Sequence, residues 1–445
     1  MLTKLVNWVR QESDLLLNGG SIIGTTALTS GLGFLFWLLA ARSSTPADVG
    51  LASAAVSAMQ LLGTIGVMGL GTLLIRELPR QNGEKGSLIM AALLIASGLS
   101  LLLGALFAVL APVASDEFLP LRSGLGSVVL FALGVALTAA TVVFDRACIG
   151  LLRGGLQLER NGFFGIAKLV ALLAAGVWIP TAGGLAIYGV WALANLLSLL
   201  FVAGRVGVAR VAKSAVSPQW QLLTHLRGDA LRHHALNLSI YAPDWFFPVL
   251  TTALFSSETT AYYYVASMLA AFVGTAPHAL TQALYAIGAQ NPDLLARKMR
   301  LTLKLSTLIG IVANLVLVFA ADFILSWYGT TYVAPAAACL RILALGVFPT
   351  TVTTHYLTIS RIHRRFLSAT KAIAAVGALG LALGAMGAKL YGLSGLAAGW
   401  VIAQAIGAVF MAPSVYREAF PGSRGSRDAA AQNQTDSHVR DHGPA

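Results

Sequence analysis

The chain consists largely of apolar runs, each about 20 residues long, which is the length that an α-helix needs to cross a membrane. In lipid the backbone polar groups must be hydrogen-bonded within the segment, so these runs are expected to be helices. Only 11% of the 445 residues are charged and 57% are hydrophobic, which leaves too little charge for a soluble surface. The sequence therefore predicts an all-α polytopic membrane protein.

Twelve transmembrane helices are predicted near 19–41, 49–75, 87–112, 124–145, 161–180, 184–204, 233–255, 259–287, 301–320, 333–359, 366–388 and 392–412. Basic residues concentrate on alternate connections between them, which is typical of cytoplasmic segments. The exceptions among the 30 basic residues are Arg42, Arg122, Arg341 and Lys389. Arg160 and Lys168 are assigned to the cytoplasmic set. Both termini are therefore predicted to be cytoplasmic.

The spans divide into two six-helix lobes, because the longest internal connection, 205–232, follows the sixth span. Weak similarity at an offset of 211 residues relates Gly63-Thr64 to Gly274-Thr275. An even number of spans per repeat makes the repeats parallel, a plan in which transporters rock one lobe against the other. The predicted domains are an N-terminal lobe, a C-terminal lobe and a disordered cytoplasmic tail, at 1–212, 213–420 and 421–445.

An acidic residue lies near the centre of the seventh span, in the stretch YAPDWFFP. A carboxylate at that depth costs about 2.5–3.5 kcal/mol, so Asp244 is expected to face a lumen or a partner. Pro243 and Pro248 are expected to kink the helix, as in the discontinuous helices of transport sites. Asp244 is therefore a candidate for binding a cation, a proton or sugar hydroxyls. The alternative is a structural ion pair with an arginine of the other lobe.

Three arginines lie at or inside span ends and are candidates for an anionic cargo. Arg341 lies about two turns inside the tenth span, where it should find an anion or extend to the outer headgroups. Its planar guanidinium suits bidentate binding of phosphate. Arg42 and Arg146 end the first and fourth spans, where anchoring at the membrane interface is the alternative. Asp145 and Arg146 are neighbours that point in different directions and are not expected to pair.

His278 lies inside the eighth span and is a candidate proton relay, with a structural hydrogen bond as the alternative. No nucleotide-binding, metalloprotease or hydrolase motif occurs in the sequence, so neither enzymatic activity nor a cofactor or metal is expected. The net charge of +12 is distributed over span ends rather than over a basic domain. Nucleic-acid binding is therefore not predicted.

The segment from Gly20 to Leu78 resembles the opening of polysaccharide-biosynthesis membrane proteins, the Wzx-type flippases. The features shared with that family are Gly20-Ser21, Ala41-Arg42, Pro46, Gly50 and Arg76-Glu77. In the second half AYYYVASMLAAF and YVAPAAACLRILALGVFP are similar to the eighth and tenth spans of the family. The resemblance covers roughly 15–415 and implies the multidrug/oligosaccharidyl-lipid/polysaccharide exporter superfamily.

The resemblance implies a flippase that moves a polyprenyl-diphosphate-linked oligosaccharide from the inner to the outer leaflet of the cell membrane. Family members have a cationic central cavity, which suits a diphosphate held by arginines. Arg42, Arg146 and Arg341 are then expected to bind the substrate, with Asp244 as counter-ion or coupling group. This sequence departs from that family pattern, because few of its basic residues are predicted to lie deep in the first lobe. Membrane lipids, glycosyltransferases and a polysaccharide polymerase are the other partners that this function implies.

Three alternatives remain open at this point. A cation-coupled multidrug antiporter has the same fold and needs acidic groups in its cavity, where Asp244 is the clear candidate. A lipid II flippase of the same superfamily usually carries additional spans and several arginines in the first lobe. A scaffold for a glycan-assembly complex would transport nothing and would tolerate loss of the Asp244 carboxylate.

Overall fold

A computed structural model describes residues 13–81, 85–178, 183–207, 213, 227–290 and 292–421 of the chain, and these residues are almost entirely helical. The α-helices are α1 Ser13–Ser43, α2 Pro46–Val67, α3 Leu70–Glu77, α4 Lys85–Ala114, α5 Leu125–Gly150, α6 Gly154–Trp178, α7 Gly184–Val206, α8 Arg227–Leu254, α9 Ser257–Gln290, α10 Pro292–Ser326, α11 Thr330–Ala344, α12 Val347–Ile362 and α13 Phe366–Ala419. Short 3₁₀ segments occupy Leu78–Arg80 and Asp116–Arg122. The predicted all-α class is confirmed.

The described part of each predicted span falls on one helix or on a pair of consecutive helices. Within the described ranges, the helices long and apolar enough to cross a membrane are α2, α4, α5, α7, α10 and α13. A seventh span is formed if α11 and α12, which are bent by 42° at their junction, are taken together. The chain is a multi-pass membrane protein. The number twelve and the cytoplasmic position of the termini stay predictions. Of the predicted tail at 421–445, residues 422–445 lie outside the described residues.

The chain forms two compact units, one of Met1–Met268 with Asp322–Cys339 and one of Leu269–Ala321 with Leu340–Ala445. These units do not coincide with the predicted lobes 1–212 and 213–420. The N-terminal helices of the first unit pack with segments that follow the sixth span in sequence. These segments are the first ten or so residues of α9, the same part of α11, and the end of α10. The division into two six-helix lobes stays a prediction.

Helix α2 forms the core of the first unit and packs against α4, α5, α7 and α8. In its most apolar window 72% of the residues are buried, compared with 22% in α4. The buried stretch from Val49 to Met59 is rich in glycine, alanine and serine, which allows neighbouring backbones to approach closely. A Cβ at Gly50 would overlap the Ser257 carbonyl at the start of α9. Small residues therefore face the interior, while the larger apolar side chains of α4 are available to lipid.

The second unit is organised around α12 and α13, which pack against each other. Helix α13 consists of two helical halves that meet at Tyr391–Gly392, where Gly392 has a φ of 61° that favours glycine. Beside this junction the two halves approach so closely that a Cβ at Gly387 would overlap the Gly395 carbonyl. The predicted eleventh and twelfth spans are these two halves.

The predicted kink and the observed helix boundaries lie at different positions. Helix α8 continues as one helix through Pro243 and Pro248, and the kink predicted there stays a prediction. A proline removes one backbone hydrogen bond, and the turns on either side can remain paired. The second predicted span is instead divided between α2 and α3 by Met68 and Gly69, both in the left-handed region with φ of 47° and 79°.

Candidate functional site

Asp244 is an exposed carboxylate on α8, in the first unit. It forms no hydrogen bond or ion pair with any residue that the structure describes. Its charge lies close enough to the buried phenol of Tyr263 to interact with it electrostatically. The alternative of a structural ion pair with an arginine therefore finds no support in the described part of the chain.

The first unit buries a lysine that the charge pattern of the sequence predicts to lie at the cytoplasmic surface. Lys168 of α6 is only 2% exposed. Its Nζ atom lies 4.2 Å from the ring centroid of Trp191, 4.9 Å from that of Phe164 and 5.4 Å from that of Phe36. These three rings, from α7, α6 and α1, are called the aromatic cage below. No carboxylate pairs with Lys168 among the described residues.

Arg160, two turns before Lys168 on α6, is buried in a polar network with α5 and α7. Its Nη2 donates to Asp145 Oδ2 at 3.0 Å and to Asn161 Oδ1 at 2.7 Å, and its Nη1 lies 3.5 Å from Ser198 Oγ. Asn161 also donates to Asp145, at 3.2 Å. Asp145 thus pairs with an arginine of the next helix, and its sequence neighbour Arg146 is not its partner, as expected.

Arg160 and Lys168 are predicted from the charge pattern to lie at the cytoplasmic surface, but both are buried inside the first unit. Arg160, Phe164 and Lys168 are four residues apart and share one face of α6. That spacing, together with the position of Lys168 inside a predicted span, was a signal in the sequence. It was outweighed by the positive-inside rule, which assigns basic residues near span ends to the cytoplasm without regard to the helix face they occupy.

Arg42 binds the C-terminal end of another helix. Its Nε donates to the Trp327 carbonyl at 2.5 Å and its Nη2 donates to the Ser326 carbonyl at 3.2 Å. The last carbonyls of a helix have no partner within the helix and carry partial negative charge, so a guanidinium is a suitable cap for α10. This contact gives Arg42 a structural role in the first unit, and its role as a substrate ligand stays a prediction.

Arg146 is exposed near the end of α5 and forms no hydrogen bond or ion pair with another described residue. Its stem packs on Gly71 of α3, where an added Cβ would lie 2.7 Å from Arg146 Cγ. The glycine thus leaves room for the arginine stem. Among the described residues, neither Arg42 nor Arg146 pairs with Asp244.

The remaining candidates belong to the second unit. Arg341 Nε donates to the Val318 carbonyl of α10 at 3.3 Å. His278 is exposed on α9, and its Nε2 lies 3.0 Å from Gln282 Nε2, one turn along the same helix. The binding role of Arg341 and the coupling role of His278 stay predictions.

Solved structures with this arrangement of helices are membrane transporters. The lipid II flippase MurJ, in an inward-closed conformation, has a TM-score of 0.65 and 13% identity over 88% of this chain and 86% of its own. An inward-facing multidrug resistance transporter of the MATE family has a TM-score of 0.61 and 16% identity over 88% and 94%. A MOP-superfamily transporter from Pyrococcus furiosus, described as having a binding pocket of reversed polarity, has a TM-score of 0.58 and 14% identity over 92% and 96%. At such identities these matches show the fold alone.

The chain therefore has the same fold as these transporters. The family model described as polysaccharide biosynthesis protein matches residues 15–285, more than half of the chain. The chain belongs to that family, as the resemblance in the sequence predicted. No curated protein matches its sequence.

Proposed function

We propose that the chain is a flippase of the cell membrane that moves a polyprenyl-diphosphate-linked oligosaccharide from the inner to the outer leaflet by alternating access. The cargo would be a precursor of a cell-envelope or exported polysaccharide. Membership of the polysaccharide biosynthesis family supports a glycan cargo, and the MOP transporter fold supports movement across the membrane. The chain would then be a transporter without enzymatic activity.

The observation that carries this proposal is the buried positive charge of the first unit. Lys168 lies in the interior of that unit with no carboxylate paired to it among the described residues. A buried cation without a counter-ion makes the electrostatic potential around it positive, and low polarity strengthens that effect. A diphosphate would be attracted to such an interior, whereas a cationic drug would be repelled.

The site residues have distinct roles in this proposal. Arg146 is exposed with a guanidinium that binds no described residue, so it is available to a phosphate from the cytoplasmic end of α5. Arg42 and Arg341 are further substrate-binding candidates. Asp244 would be the coupling group or would accept hydrogen bonds from sugar hydroxyls, and His278 would relay a proton.

The cargo is tested by mass spectrometry of lipids extracted from cells depleted of this protein. Accumulation of one polyprenyl-diphosphate glycan, reversed by the wild-type gene, is the expected result. Complementation by Arg146→Ala should be weaker than by Arg122→Ala, a matched arginine exposed on the predicted opposite side of the membrane. A lipid profile that does not change on depletion, in a strain without a second flippase, would exclude the proposed cargo.

A second candidate function, cation-coupled multidrug extrusion, is favoured by Asp244. An exposed carboxylate with no described partner is suited to exchange a proton or metal cation against an organic cation. Efflux of a cationic dye from vesicles separates the candidates, because only the antiporter would produce it. Asp244→Asn should abolish coupling in a transporter, whereas a scaffold would retain its activity.

Glycosyltransferases that complete the glycan and a polysaccharide polymerase that consumes it are the proposed partner proteins. A lipid-linked product released at the outer leaflet must be extended or transferred there, so a polymerizing or transferring enzyme follows this step. Capture of such an enzyme with the full-length protein in native membranes would support the assignment. No association under conditions that retain lipid-linked glycan would contradict it.

A further inference from the structure

We propose that the aromatic cage of Phe36, Phe164 and Trp191 is a binding site for an organic cation, and that the chain keeps this site filled with its own Lys168 ammonium. Lys168 would thereby determine specificity against cationic cargo. The inference goes beyond the proposed function, because it concerns a site for cations and holds whichever anion the protein moves.

The geometry of the cage is that of a cation site. All three ring centroids lie within 5.4 Å of Lys168 Nζ, inside the range of about 6 Å over which aromatic rings attract cations. Phe36 and Phe164 both meet Trp191 edge to face, with centroid separations of 5.2 Å and 5.6 Å. Because the rings come from three helices and support one another, the cage does not depend on the lysine for its shape.

Among the described residues, no charged group near the aromatic cage pairs with the Lys168 ammonium. Asp145, the acidic residue on the neighbouring α5, already pairs with Arg160 at 3.0 Å. No hydrogen bond or ion pair joins Lys168 to any other residue that the structure describes. A buried ammonium without such partners is costly, and attraction by aromatic rings is stronger where water is excluded. The three rings are therefore the main stabilisation of this charge.

Removal of the Lys168 side chain beyond Cβ would vacate space beside the three rings for a small quaternary ammonium group. Shortening the side chain to alanine removes Cγ, Cδ, Cε and Nζ, and a trimethylammonium group has a comparable number of heavy atoms. Helix α1 leaves space beside the ammonium, because an added Cβ at Gly33 would have only Lys168 Nζ within 4 Å, at 4.0 Å. A Cβ at Gly31 would meet nothing within 4 Å.

The test compares choline with its neutral isostere 3,3-dimethylbutan-1-ol as ligands of the purified full-length protein in detergent. Thermal unfolding is followed for the wild type, Lys168→Ala and Lys168→Met. Choline should raise the Tm of Lys168→Ala at concentrations about ten-fold lower than it requires for the wild type. Lys168→Met should respond as the wild type does, because its side chain fills the same space.

A double variant tests the rings themselves, and two results would overturn the site. Removal of one ring in the double variant Lys168→Ala/Trp191→Leu should cancel the gain of choline binding. Equal stabilisation of Lys168→Ala by choline and by the neutral alcohol would show an apolar cavity and overturn the proposal. The proposal would also be overturned if choline did not change the Tm of Lys168→Ala. If the alanine variant does not fold, Lys168→Ser is used in the same test. Neither outcome bears on the accumulation of a lipid-linked glycan, which tests the proposed function separately.

Discussion

The two compact units differ in the kind of polar group that they bury. In the first unit the buried side chains include the cations Arg160 and Lys168. In the second, the buried polar side chains that the structure describes are the hydroxyls of threonine and serine and the imidazole of His355. Neutral groups can be satisfied by nearby carbonyls, whereas each buried charge needs an opposite charge or a polarizable surface.

The second unit shows how a buried polar group can serve structure alone. His355 is completely buried on α12, with Nδ1 2.7 Å from the Thr351 carbonyl and Nε2 2.9 Å from Thr302 Oγ1 of α10. A neutral ring that donates from Nδ1 and accepts at Nε2 satisfies both contacts. Its counterpart in the first unit, the Lys168 ammonium, has donors that no described residue accepts. Among the described residues the buried charges lie in the first unit, so the proposed recognition of an anionic cargo is best tested there.

The largest expected effect is on the ion pair of the first unit. Asp145→Ala leaves the Arg160 guanidinium buried without its carboxylate and should lower the free energy of unfolding by about 3–5 kcal/mol. Thermal unfolding in detergent measures this loss. The double variant Asp145→Leu/Arg160→Met removes both charges and should recover most of it. Equal losses in the single and double variants would contradict a pairing role.

A smaller effect is expected in the neutral network of the second unit. His355→Leu leaves the Thr351 carbonyl and the Thr302 hydroxyl without the imidazole and should cost about 1–3 kcal/mol. Adding Thr302→Val should not increase the loss, because the two side chains act together. If His355→Leu abolished transport without lowering stability, His355 would instead be a proton relay. The contrast between the two units would then not hold.

The contact of Arg42 with the end of α10 should be weaker, because the arginine is exposed. Arg42→Gln removes a cation from the negative end of a helix and should cost about 0.5–1 kcal/mol. Arg122→Gln is the matched control, since Arg122 is exposed and reaches one carbonyl, that of Val109, at 3.5 Å. High salt should reduce the difference between the two variants, and a difference independent of salt would argue against the charge effect.

The smallest effect on stability is expected for Lys168→Met, within about 1 kcal/mol of the wild type. Replacing a buried charge by an apolar side chain of similar volume is often neutral or stabilising. Transport of the anionic lipid should nevertheless fall, because the positive charge of the interior is lost. Transport and thermal stability are measured on the same reconstituted sample. A fall in transport without a fall in stability distinguishes loss of the positive charge from general damage to the protein. Unchanged transport would show that the charged interior has no part in recognition.

Much of the fold could be predicted from the sequence, because the physics that determines it acts locally. Apolar runs of sufficient length must satisfy their own backbone hydrogen bonds in lipid, so the described part of each predicted span falls on one helix or on a pair of consecutive helices. The breaks were harder to predict. Helix α8 continues through the two prolines on which a kink was predicted, whereas α2 ends at the left-handed residues Met68 and Gly69, which follow an ordinary apolar run.

The candidate site was predictable only in part. Asp244 was identified from its cost in the membrane, and the structure places it without a described partner. Asp145 and Arg160 could not be paired from sequence, because the pair depends on the rotation of α5 and α6 about their axes. Arg42 binds carbonyls 284 and 285 residues away, and backbone carbonyls carry no sequence signal.

The amino-acid sequence alone is sufficient to predict a helical multi-pass membrane protein and to show its resemblance to the polysaccharide biosynthesis family. Length, hydropathy and the spacing of glycines are properties of single segments, and they persist however the helices are packed. The enclosure of Lys168 by rings from α1, α6 and α7, and the pairing of Asp145 with Arg160 rather than Arg146, depend on how the helices pack. Such a cage exists only when three helices present the right faces to one point, and a face becomes defined when the neighbouring helix is in place.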